Sequence, residues 1–166
     1  MRSISEAALK GLAGGVAGTA VMTAAEKLEQ SLTGRPSSYV PGRTLAHLLG
    51  LERAHEDRFA RNMAMHYGTG MMVGALRGVM SAANLRGPYG SLMHMQVRLA
   101  TDQTLENLTG VGAPPWTWPR DELAIDVLHK AIYSLAAGAV ADALIQPLPT
   151  SSVRRRFPGR RLKGYA

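Results

Sequence analysis

His66-Tyr67-Gly68-Thr69-Gly70-Met71-Met72-Val73-Gly74-Ala75-Leu76-Arg77-Gly78 is the stretch on which the fold turns. Gly70, Gly74 and Gly78 recur at every fourth position, so they share one face of a helix. A face without side chains lets a second backbone come close, a device used most where helices pack in lipid. The same segment carries His66 and Arg77, which are costly on a lipid-facing surface and make the segment's polarity a puzzle. Gly14 and Gly18 repeat the spacing in the first apolar segment. These five glycines are the candidate helix-packing positions.

Working outward, four helical segments emerge: Glu6 to Leu32, Asp57 to Ala83, Tyr89 to Leu108 and Arg120 to Ile145. Gly34, Pro36, Pro41 and Gly42 separate the first two, Gly87 and Pro88 the next pair, and Gly110, Gly112, Pro114, Pro115 and Pro119 the last. Thr44 to Leu49 reads as a short extra helix, and Glu52 to Arg61 as a charged surface segment. Alternating branched and aromatic runs are missing, so strands are not expected. The expectation is an all-α chain, a four-helix bundle over residues 1–149 followed by a basic tail over 150–166. At 166 residues the chain is long enough for a single domain with its own core.

The formal net charge is +7, and much of the excess lies in the tail at Arg154, Arg155, Arg156, Arg160, Arg161 and Lys163. Such a tail attracts phosphates, and directly after a candidate membrane helix it reads as a site for anionic lipid headgroups. No structured recognition motif accompanies it, so sequence-specific nucleic-acid binding is not expected. With no cysteine in the chain, disulfides, thiolate catalysis and cysteine-ligated zinc are excluded. Gly11 to Ala25 makes a poor signal peptide, because glycine and alanine stand where leucine is expected and no cleavage site precedes Glu26.

Whether these helices lie in lipid is a contest between length and charge. Gly11 to Ala25 and Asn62 to Leu76 are uncharged, but about 15 residues cover only ~22 Å of a ~30 Å hydrocarbon layer. In the third segment Gly90, His94, Arg98, Asp102 and Glu106 form a polar stripe at every fourth position. Each charge there costs roughly 2.5 to 3.5 kcal/mol at the bilayer centre unless it finds a partner. The stripe also fits a soluble amphipathic helix, as does the mean hydropathy of -0.05. Trp116 and Trp118 just before the fourth segment, and the basic tail just after it, favour a membrane, with the tail on the cytoplasmic side.

Several short motifs occur in a fixed order along the chain. Gly14-x3-Gly18 with Thr19, Met22 and Glu26 comes first, then His66-Tyr67-Gly68 with Gly70 and Gly74, then Gly87-x2-Gly90, Gly110 with Pro115, and His129-x3-Tyr133. In this order, over Gly11 to Leu144, the chain resembles the YagU-like small inner-membrane proteins. The resemblance implies a multi-spanning membrane protein with a loose link to acid tolerance, and no particular enzymatic activity follows from it. The polar third segment and the extended tail depart from that pattern.

Chemistry, if present, falls to the ionisable residues of the helices. His66, Arg98, Asp102 and His129 are the candidate polar network, either static or proton-handling, since histidine titrates near neutrality. Asp126-x2-His129 puts a carboxylate and an imidazole on one helical face, half of the pattern used by bundle metal sites. Asp126, His129, His66 and Asp102 are therefore the alternative metal set, belonging to a second reading in which a soluble helical bundle binds a metal or small molecule, with an enzymatic role open to it. The methionines between Met63 and Met95 read as adaptable packing. No nucleophile elbow, phosphate loop or zinc-protease motif is present, so no cofactor is expected. The leading expectation is a membrane protein of structural or stress-related role, with membrane lipid as partner and a homo-oligomer open to it.

Overall fold

The structure, a computed structural model, describes residues 3–51 and 58–149. Five α-helices make up the regular structure there: α1 (Ile4–Thr33), α2 (Val40–Leu48), α3 (Arg58–Ala82), α4 (Gly87–Leu108) and α5 (Arg120–Leu144). A single 3-10 turn at Pro115–Thr117 precedes α5, and no strand occurs among the described residues. The all-α expectation holds. The described residues form five α-helices rather than the four of the expected bundle, the fifth being the short extra helix, which begins at Val40 with Pro41 in its first turn rather than at Thr44. Proline there removes only an N–H that has no intrahelical partner, so it opens a helix as readily as it breaks one. The basic tail residues from Arg154 to Lys163 lie outside the described residues.

Local chemistry sets the helix ends. Ser3 caps α1 by accepting from the Glu6 backbone N–H at 3.1 Å, the Ser-x-x-Glu arrangement of a capping box. At the other end Gly34 adopts φ 72° and donates to the Gln30 carbonyl, a left-handed conformation that costs glycine nothing. Asp121 and Glu122 occupy the first turn of α5, where the helix dipole favours negative charge.

Helix α1 lies against α3 and α5, α4 packs on α5, and α2 rests mainly on α3. The residue pairings make α1 and α4 run one way and α3 and α5 the other. The α1–α3 contact is backbone on backbone. A Cβ on Gly74 would lie 2.6 Å from the Gly15 nitrogen, and one on Gly78 only 2.8 Å from the Gly11 Cα, far inside van der Waals contact. The neighbouring face of α1 serves α5: a Cβ on Gly14 would meet the Ala137 carbonyl at 2.9 Å, and one on Gly18 the Tyr133 carbonyl at 2.8 Å. Gly70, Gly74 and Gly78 are thus engaged within the chain, opposite Gly11 and Gly15 rather than Gly14 and Gly18.

The resulting core is built of small and polar groups. Ala7, Ala82, Ala141 and Ile145 form one apolar cluster, and Met22, Val73, Tyr133 and Ala137 another. Arg77, His94 and Arg98 are fully buried among them, while large apolar side chains point outward: Leu32 is 78% exposed, Met72 74% and Leu135 54%. Two helices, α1 and α5, are long and apolar enough to cross a membrane.

Candidate functional site

Polar groups line the interior from one end of the helices to the other. At the end holding Ser3 and the α3–α4 turn, Arg77 of α3 donates from Nη2 to Asp142 Oδ2 of α5 at 2.9 Å. Asp142 also accepts from Ser81 Oγ at 2.6 Å and from the Gly87 N–H at 2.8 Å. Arg86 donates to the carbonyls of Asp142 and Ile145. One carboxylate therefore ties α3, the start of α4 and the end of α5 together. Charge-assisted hydrogen bonds of this kind are about twice as strong as neutral ones.

Near the middle, Tyr133 donates to the Gly70 carbonyl at 2.6 Å. His94 stacks on the Tyr133 ring at 5.5 Å and donates from Nε2 to the Val73 carbonyl at 3.0 Å, which fixes its tautomer and leaves Nδ1 without a partner. The Arg98 guanidinium sits over the same ring, 4.8 Å from its centroid. Cation–π attraction of this kind strengthens when the pair is withdrawn from water.

The third group faces the connector end. Arg98 Nε donates to Asp102 at 2.9 Å, and Lys130 lies 3.2 Å from Asp102 and 2.9 Å from Asp126. Two cations and two carboxylates thus balance on α4 and α5. Above them opens a cavity of about 340 Å³, walled by α1, the start of α2, α3, α4 and α5 and roofed by the connectors after α1 and α4. Below it a pocket of about 20 Å³, room for a single water, reaches Thr44, Thr69 and Arg98. His66, Glu106 and Lys130 line both spaces. At the roof Arg35 is held by Glu29 at 2.8 Å and by Glu122 at 3.7 Å, joining α1 to α5. The Glu29 carboxylate keeps the Arg35 guanidinium charged more firmly than usual, raising its pKa above the ordinary arginine value.

The structure brings together part of the residue set singled out from sequence. Arg98 and Asp102 pair directly; His66 and His129 face the cavity and make no side-chain hydrogen bond to either. The alternative metal set does not converge: among the described residues no three histidine or carboxylate side chains are placed to hold one ion. Asp126 and Asp102 point instead to the same Lys130 ammonium.

The chain matches no protein-family model, no curated protein and no solved structure.

Sequence reasoning missed Arg77, Lys130 and Asp142 as interior groups. Each ends an uncharged run, and a charge at the end of an apolar run reads as a flank that reaches for water. For Arg77 and Asp142 the signal is their spacing from small residues. Arg77 follows Gly74 by three positions and Asp142 follows Gly138 by four, so both lie beside faces where only backbone stands in the way.

Proposed function

We propose that this chain is an integral membrane protein in which all four long helices cross the bilayer around an ion-paired polar interior, serving a structural or acid-stress-related role rather than a catalytic one. The observation that carries this reading is the inverted distribution of polarity. Arg77 and Arg98 are at most 1% exposed and paired, whereas leucines and methionines cover the outside of the helices. Water does not favour that arrangement, since apolar surface is what folding removes from it. Lipid favours it, because charged side chains in a membrane face the interior and pair there.

Length agrees with this reading. At about 1.5 Å per residue even α4, the shortest of the four with 22 residues, extends ~33 Å against a hydrocarbon layer of ~30 Å. The insertion cost that Arg98 and Asp102 impose on an isolated α4 is offset by their contact with each other and with Lys130. Four crossings put both ends of the chain on one side, which the basic tail assigns to the cytoplasm under the positive-inside rule. Arg154, Arg155, Arg156, Arg160, Arg161 and Lys163 then contact anionic headgroups. Any homo-oligomer must use a surface other than the Gly70–Gly74–Gly78 face, which α1 occupies. The resemblance to YagU-like proteins belongs to the same proposal.

Fractionation tests it. The untagged full chain and a form ending at Pro149 are expected to stay in the membrane pellet through both high-salt and alkaline washes. Recovery in the soluble fraction, or release by salt of the full chain, would overturn the reading.

A further inference from the structure

The cavity at the connector end has an unbalanced wall. Of its two permanent cations, Lys130 is already shared by Asp102 and Asp126, and Arg35 by Glu29 and Glu122. Glu26 and Glu106 also line the space, and among the described residues neither has an ion pair; there Glu26 accepts only from the Gln30 side chain, and Glu106 has no side-chain hydrogen bond. His129 is 7% exposed, lines the same cavity, and its Nε2 has no partner. A carboxylate can only accept hydrogen bonds, so the two glutamates ask for a donor, with the open Nε2 of His129 beside them. The rest of the wall is largely apolar, with Met22, Val111 and Ile125 among its members. A volume of about 340 Å³ lies at the lower end of the ~300 to 1,000 Å³ usual for small-molecule sites.

From this juxtaposition we infer that the cavity binds a small aliphatic diamine, its ammonium groups on Glu26 and Glu106 and its methylene chain against the apolar wall. Glu26 on α1 and Glu106 on α4 stand on helices that are not packed on each other, and among the described residues no three carboxylate or imidazole groups are placed to hold one ion, so the site suits an extended cation with separated charges and not a bare metal ion. Methylenes between two ammonium groups match both properties of the wall. The site stands on the geometry of the chain itself and does not depend on whether the helices lie in lipid.

The test is calorimetric titration of 1,4-diaminobutane into the full chain in a neutral detergent, which adds no anionic surface. Saturable binding is expected. Glu26→Gln and Glu106→Gln should each weaken it by about tenfold or more, because a desolvated charge pair is lost. Glu6→Gln, at the far end of α1, should leave it unchanged. On the unmodified protein, n-butylamine should bind more weakly than the diamine and 1,4-butanediol not at all, a series that decides the matter even if a variant fails to fold. Absence of saturable binding, wild-type affinity in both glutamine variants, or a diol that binds as well as the diamine would overturn the assignment.

Discussion

Asp142 accepts hydrogen bonds from Arg77, Ser81 and the Gly87 backbone, so its surroundings are built for a charge. Arg77→Ala removes the only cation among those donors and strands a largely buried carboxylate. Breaking a buried pair from one side costs about 3 to 5 kcal/mol, and a loss of that size is expected in thermal or denaturant unfolding of the detergent-solubilised protein. Lys10→Ala, which removes the exposed partner of Glu6, should leave the unfolding curve in place. Tyr133→Phe tests a neutral contact: losing the hydroxyl that donates to Gly70 should cost about 1 kcal/mol, and no loss at all would mean that this bond contributes nothing net. The Arg77–Asp142 and Tyr133–Gly70 pairings were not legible in the sequence. A sequence shows that Arg77, Lys130 and Asp142 interrupt apolar runs, but which charge meets which depends on the register of one helix against another, and that is set by the packing of many residues at once.

Among the elements, the α1–α3 contact is the most sensitive to a single carbon atom. Gly74→Ala places a Cβ against the Gly15 backbone, where no side chain can rotate away, so the helices must separate. Overpacking of this kind costs about 1 to 3 kcal/mol. Gly68→Ala is the matched control on the same helix: nothing lies within 4 Å of the added carbon, and the better helix propensity of alanine should stabilise by about 0.5 to 1 kcal/mol. Opposite signs for the two variants are the expected result, and equal effects would mean that the close approach is not what Gly74 provides. Here the sequence told more. Helix ends follow from local punctuation, and α3, α4 and α5 begin or end within two residues of where glycine and proline placed them. The fifth helix was misjudged because Pro41, read as a breaker, sits in the first turn of α2. Of the cavity wall, the sequence pointed to His66, Asp126 and His129 through the alternative binding set, and the rest was not legible because it is gathered from five helices and two connectors.

Over the whole molecule the account rests on one claim, that apolar side chains face lipid while the charges are gathered inside. The chain contains no cysteine, so single cysteines can be introduced and spin-labelled without background. Val21 on α1, Met72 on α3, Leu92 on α4 and Leu135 on α5 are all exposed and lie away from the helix ends. In protein reconstituted into vesicles, the relaxation of each label would be measured with oxygen, which partitions into lipid, and with a water-soluble nickel chelate. High oxygen accessibility with protection from nickel at all four positions is the expected result. Free access of nickel to these labels would contradict the account, because it would place in water the faces that the fold leaves apolar.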